Sequence, residues 1–161
     1  MVSNSEEVEI CVNGKSVGRK KMKIDGYLEW ENILYEPGQI SAKGYRNGLV
    51  VKEEVVKTTD APAQVVLSVD FKENCLAVIK AEVQDKNGLP VPDAGNELTF
   101  VIEGKARLLG TSNGYPSDHT SAYSEVRRVF NGLAQAIIEF NDGITVTAKA
   151  EGLACNMLQI I

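Results

Sequence analysis

The sequence predicts an all-β fold, arranged as β-sandwich domains in tandem, and three observations carry that reading. Apolar and polar residues alternate with a period of two in run after run, while no stretch of about 11 residues carries an apolar i, i+3, i+4, i+7 stripe. Asn-Gly pairs at 13–14 and 47–48 stand between such runs and mark two-residue hairpin turns. The patterning stops at "TTDAPA", residues 58–63, and restarts after it, which divides the chain at about residue 60.

In "EVEICV", Val8, Ile10 and Val12 point one way and Glu7 and Glu9 the other. Asn13-Gly14 turns the chain and "KSVGRKKM" returns. "GYLEWEN" places Leu28 and Trp30 on one face and predicts a further strand. Pro37-Gly38 centres a turn, "QISAKGY" is a strand with Ile40 and Ala42 on one side, and Asn47-Gly48 leads into a long strand ending in "EEVVKT".

After the linker, "QVVLSVD" aligns Val65, Leu67 and Val69, and "LAVIKAEV" aligns Ala77, Ile79, Ala81 and Val83. "DKNGLPVPDAGN" is a connection, "ELTFVIEG" aligns Leu98, Phe100 and Ile102, and "KARLLGTSNG" is a short strand. "YPSDHTSAYSE" is polar and irregular. "VRRVFNG" leads to "LAQAIIEF", with Ala134, Ala136, Ile138 and Phe140 in phase. "NDG" turns into "ITVTAKA", and "CNMLQII" closes the chain as one more strand. Residues 61–161 thus supply about seven or eight strands, enough for one immunoglobulin-like sandwich. Residues 1–60 supply about four or five and open directly on a strand. The expectation is a first immunoglobulin-like domain truncated at its N-terminal edge, with unpaired backbone or apolar surface along the 6–13 hairpin. Exposed edges invite pairing, so a homodimer through that edge is also expected.

The totals exclude several function classes. The 161 residues carry a net charge of −5, whereas binding phosphates needs concentrated Lys and Arg, so no nucleic-acid partner is expected. Arg19, Lys20, Lys21 and Lys23 are dense, but Glu6, Glu7 and Glu9 lie nearby and make a solvated hairpin face the simpler reading. No apolar run approaches the roughly 20 residues of a membrane span, and no membrane partner is expected. "MVSNSEEVEI" has neither the basic start nor the apolar core of a signal peptide. Two readings stay open: a cytoplasmic protein, or a piece whose export signal lies elsewhere.

Cys11, Cys75 and Cys155 are odd in number and far apart, without C-x-x-C spacing. They read as buried or semi-buried small apolar residues. A Cys75–Cys155 bridge is open in principle, but nothing in the sequence demands it.

No catalytic constellation emerges, and no catalytic, cofactor or metal residue is assigned. The single histidine, His119, lies in "SDHTSAY" away from any nucleophile-elbow motif, and one histidine without a cysteine pair does not build an ordinary zinc site. Carboxylates such as Glu7, Glu9, Glu29, Glu82 and Glu151 fall at outward positions, where solvation leaves acidity untuned. "DKNGLPVPDAGNE" resembles a calcium loop, but Gly88 comes too early. Trp30 shares its phase with Leu28 and belongs in a core. Tyr115, His119 and Tyr123 are the candidates for contact with a partner or glycan, because they stand in the irregular loop.

Two stretches carry a resemblance. "SNSEEVEICVNGKSVGRKKM" resembles a segment that follows the catalytic barrel in many bacterial glycoside hydrolases of family 2, the β-galactosidase family, through Asn4, Val8, Glu9, Ile10, Asn13, Gly14, Lys15, Ser16, Val17 and Gly18. "LEWENILYEPGQISAKGYRNG" is similar to the family's W-x-V-x-Y-x-P-G-x-L-x-A-x-G-Y-x-x-G, with one extra residue between Trp30 and Tyr35. "LAVIKAEVQDKNGLPVPDAGNELTFVIEGKARLLGTSNGYP" resembles the immunoglobulin-like C-terminal domain of such enzymes, and "RRVFNGLAQAII" continues the likeness.

The resemblance implies a non-catalytic accessory region of a larger glycosidase. Both catalytic glutamates of the family sit on a (β/α)8 barrel, which needs about 250 residues, so none maps here. It also implies that the barrel of the parent enzyme is the partner, and that the parent is periplasmic or secreted. Two rivals remain: a tandem module of a bacterial surface adhesin, against which the two unlike halves count, and a carbohydrate-binding module.

Overall fold

The computed structural model describes residues 1–23 and 26–161, and the described residues contain strands, turns and irregular segments but no helix. The chain divides into two units, Met1–Thr58 and Thr59–Ile161.

The first unit is a single antiparallel sheet of β1 (Glu7–Val12), β2 (Lys15–Lys21), β3 (Gln39–Arg46) and β4 (Leu49–Lys57), in the order β2-β1-β3-β4. Both Asn-Gly pairs turn as the sequence predicts, with φ of 48° and 80° at Asn13 and Gly14 and of 50° and 77° at Asn47 and Gly48. Positive φ at both central residues matches the right-handed twist of the flanking strands. Asn13 has a second task. Its Oδ1 accepts the Gln39 N–H at 2.8 Å and its Nδ2 donates to the Pro37 carbonyl at 3.2 Å, which ties the first hairpin to the next turn.

Alternation gives this sheet two unlike faces. Val8, Ile10 and Val12 of β1 lie level with Gly44, Ala42 and Ile40 of β3 on the apolar face. On the other face, Glu7 pairs with Arg19, whose guanidinium lies 3.5 Å from the Tyr45 ring centroid, and Glu9 accepts from Tyr45 and Ser16, both at 2.6 Å. The basic cluster is therefore partly neutralised on a polar face.

Two expectations need correction in this unit. Strand β1 does not run along an edge: it pairs with β2 on one side and β3 on the other, and β2 and β4 form the margins. Each margin carries a register shift, at Ile10/Cys11 opposite β2 and at Gly44/Tyr45 opposite β4. "GYLEWEN" does not form a strand either. Asn32 has φ of 57° and breaks extension where the sequence carries its extra residue. Leu28 still turns inward with Val8 and Ile10, and the Trp30 indole donates to the Gly18 carbonyl at 3.0 Å.

The second unit is a sandwich of two sheets. One sheet holds β5 (Gln64–Glu73), β6 (Leu76–Gln84), β8 (Ala106–Ser112), β10 (Leu133–Phe140) and β12 (Ala154–Cys155), in the order β12-β5-β6-β10-β8. The other holds β7 (Glu97–Glu103), β9 (Val126–Arg128), β11 (Ile144–Lys149) and β13 (Met157–Ile160), in the order β13-β11-β7-β9. Their inward residues meet in one core that includes Val65, Ile79, Val83, Leu98, Phe100, Ile138 and Val146. Burial alternates along β6, β10 and β11 as the period of two requires.

The cysteines are all free, and only Cys11 is buried. Cys75 and Cys155 are exposed, against expectation. Cys75 follows the left-handed Asn74 in the turn between β5 and β6, and Cys155 lies on a two-residue strand, so neither faces the core.

Candidate functional site

The three candidate contact residues lie on the connection between β8 and β9, residues 113–125. Arg127 organises this loop from beneath. Its partner across the ladder is Leu98, and it shares the inward phase of Val129, so it is only 3% exposed. An arginine in that position must satisfy its donors locally, since a buried unpaired charge costs several kcal/mol. It does so on the loop and on the end of β8. Nε donates to Thr111 Oγ1 at 3.1 Å, Nη1 to Asp118 Oδ2 at 2.7 Å and to the Thr120 carbonyl at 3.2 Å, and Nη2 to the Ser121 carbonyl at 2.7 Å.

Asp118 is the second anchor. Besides Arg127, its carboxylate accepts the Thr120 N–H at 2.9 Å and the Asn113 amide at 2.8 Å. The Thr120 bonds, followed by the Arg127 guanidinium, hold its pKa far below the usual carboxylate range. Asn113 also donates to the Arg128 carbonyl at 2.9 Å, and the Thr111 N–H donates to the Ala122 carbonyl at 2.7 Å. The loop is thus held by charge-assisted bonds rather than by an apolar core of its own.

This frame places the candidates differently. Tyr115 stacks on Phe130, with ring centroids 4.7 Å apart and planes at 22°, and both rings remain partly exposed. Tyr123 stands 82% exposed near the far end of the loop. His119 is exposed beside Asp118, but the carboxylate is already occupied by Arg127, Asn113 and Thr120, which leaves no oriented acid–histidine pair. The sequence reading missed Arg127, Asp118 and Phe130. The available signal was phase: Arg127 lies two residues before the buried Val129, in the inward register of a strand.

The other notable carboxylates are structural. Asp85, within the calcium-like stretch, is wholly buried and accepts the backbone N–H groups of Asp60, Asn87 and Leu89 at 3.0, 2.8 and 2.9 Å. Those bonds, the Asp60 bond foremost, lower its pKa. Glu9 is lowered chiefly by Ser16 and then Tyr45, and Glu82 chiefly by the Gln84 amide. A glycosidase general acid needs the opposite, a carboxyl held protonated near neutrality. Among the described residues no group of three or more His, Cys, Asp or Glu side chains is placed to hold a metal.

Comparison with known proteins places this arrangement. Residues 55–159 match the model of the glycoside hydrolase family 2 C-terminal domain 5, and residues 1–52 match a domain of unknown function, DUF4982. The chain belongs to glycoside hydrolase family 2. It is similar to the beta-galactosidase BoGH2A of Bacteroides ovatus, at 32% identity over 98% of this chain and 20% of that protein. A beta-glycosidase from Bacteroides vulgatus has a similar structure, with a TM-score of 0.86 at 31% identity over 98% of this chain and 21% of that one. A family 2 member from Bacteroides cellulosilyticus gives a TM-score of 0.90 at 28% identity, over 98% of this chain and 21% of that one. The chain thus spans about a fifth of the length of the relatives it matches, and it aligns with their C-terminal region. It corresponds to the C-terminal accessory region of family 2 glycosidases.

Proposed function

We propose that this region serves a larger β-glycosidase, acting on a β-galactoside or β-glucuronide, by packing against its catalytic barrel and bordering the substrate mouth or an oligomer interface. The β8–β9 loop is the element that meets the barrel or the substrate. The observation that carries this reading is the Arg127–Asp118 frame, which spends buried charge on fixing a loop that presents Tyr115, stacked on Phe130 just beyond β9, and Tyr123 outward. Aromatic rings held rigid at a surface supply large contact area at low entropic cost. The similarity to a named beta-galactosidase supports the substrate class, and a named beta-glucuronidase of Formosa agariphila, 29% identical over 94% of this chain, supports the alternative sugar. The parent acts in the periplasm or outside the cell. A homodimer of the parent would use β2 or β4 rather than the internal β1.

Two assays test the assignment together. The purified 161-residue chain is expected to leave chromogenic β-galactosides and β-glucuronides intact, while the full-length enzyme cleaves one of them. In the full-length enzyme, Tyr115→Ala combined with Tyr123→Ala is expected to raise KM or weaken barrel docking at unchanged fold. Turnover by the short chain overturns the non-catalytic assignment, and wild-type kinetics and stability in the double variant remove the loop's role. Retardation of the short chain on galactan, xylan or host glycans in affinity electrophoresis would instead make the region a carbohydrate-binding module.

A further inference from the structure

The first unit has one sheet where a stable β domain needs two layers around a core. Among the described residues its buried apolar cluster is Val8, Ile10 and Leu28, with Met22, Trp30 and Ala42 packed against it. Over that face runs an open groove lined by Met1, Ile10, Leu28, Trp30, Ile33 and Ile40. Ile33 and Ile40 are 38% and 40% exposed.

The groove already holds the first rung of a second layer. The Leu28 N–H donates to the Met1 carbonyl at 2.8 Å, and the Met1 nitrogen donates to the Leu28 carbonyl at 2.6 Å. A reciprocal pair of this kind is the closed rung of an antiparallel ladder. It fixes both direction and register for any residue joined to Met1. The next closed rung falls two residues further along each strand, at Trp30. The Glu29 carbonyl, by contrast, faces the other way and accepts from Lys20 Nζ at 2.6 Å. Among the described residues no backbone group pairs with the Trp30 N–H or C=O.

We propose that this face seats a β-strand supplied by the polypeptide that precedes Met1 in the longer enzyme, paired antiparallel with Leu28–Trp30 in the register set by the Met1–Leu28 rung. The proposal rests on the assignment of this chain to the C-terminal fifth of such an enzyme, which leaves most of the parent's length upstream. Register also specifies the strand's chemistry. Met1 and Leu28 point into the groove from one rung, so alternate residues counted back from Met1 are apolar and face Ile10, Ile33 and Ile40. The strand ends opposite Asn32, whose left-handed backbone breaks the ladder. The margins of the sheet fit an added strand less well, because both carry bulges and charged side chains such as Lys15, Arg19, Lys52 and Glu53, which disfavour edge pairing.

Residue-resolved hydrogen exchange on the 161-residue chain and on the full-length polypeptide tests this. In the longer protein the Trp30 amide is expected to exchange about tenfold more slowly or better, with Glu29 and Glu31 much less affected, because a ladder protects alternate amides. Simple coverage by another domain does not produce that alternation. Ile40→Lys is expected to abolish the gain at Trp30 in the longer protein and to leave exchange there unchanged in the short chain. Equal Trp30 exchange in the two proteins overturns the proposal. So does protection gained along β2 or β4 instead, or Trp30 protection in the short chain that rises with its concentration, which would make the occupant a second copy. Glycosidase activity of the full-length protein, measured in parallel, separates failure of this proposal from failure of the family 2 assignment.

Discussion

Arg127 and Asp118 show how a single ion pair can set the conformation of a whole loop. The pair is largely screened from water, with side chains 4% and 14% exposed at an N···O distance of 2.7 Å. Both partners also bond to the backbone of Thr120 or Ser121, so the pair pins that segment of the loop to β9. This has a consequence for acid stability. The native carboxyl of Asp118 resists protonation far more than an unfolded aspartate, whose pKa is about 3.9. Below that value the unfolded chain binds a proton that the native chain refuses, so stability falls as pH falls toward the depressed native value. Above it the contribution is fully present. Asp118→Asn is therefore expected to lower stability at neutral pH and to flatten the decline below about pH 4. Denaturant midpoints of wild type and variant across a pH series check this; parallel acid limbs would show that Asp118 is not the group responsible.

At the scale of elements, β10 lies between β6 and β8 in the larger sheet and sends Ala134, Ala136, Ile138 and Phe140 inward. Ile138 is fully buried. Its truncation leaves a cavity that neighbours on both strands cannot close without breaking ladder bonds. Ile138→Ala is expected to cost about 3 kcal/mol, whereas Val55→Thr on the exposed β4 should stay within about 0.5 kcal/mol; equilibrium denaturation of both variants checks the contrast. These strands were legible because alternation and turn chemistry agree: the inward sets of β5, β6, β7, β10 and β11 follow directly from phase. Three features were not legible, each for a physical reason. A period of two cannot say which neighbours a strand takes, so β1 was assigned to an edge although β3 pairs along its whole length. Leu28 and Trp30 alternate as in a strand, but the left-handed Asn32 ends extension two residues later. The loop candidates Tyr115, His119 and Tyr123 were visible as unpatterned residues, while the Arg127 frame beneath them was hidden because a lone inward arginine looks, in sequence, like any surface charge.

The whole chain consists of two units with very different cores. The second buries a continuous cluster from Val65 to Ile160 between two sheets, whereas the first buries Val8, Ile10 and Leu28 beneath a partly open groove. Each buried side chain of this size contributes about 1.5–3 kcal/mol, while every ordered backbone residue costs about 1–2 kcal/mol in entropy. The first unit therefore orders a four-stranded sheet with little apolar return and should unfold at the milder condition. The chain offers a clean reporter, because its single tryptophan, Trp30, belongs to the first unit and packs against β1 and β2. Tryptophan fluorescence follows that unit alone, while far-ultraviolet circular dichroism is dominated by the larger sandwich. In the 161-residue chain the fluorescence transition is expected at lower urea than the main dichroism transition. In the full-length enzyme, Trp30→Phe would identify the same signal by its loss. Coincident transitions in the short chain would mean that the small sheet draws its stability from the sandwich, and that the three-residue cluster understates what holds it.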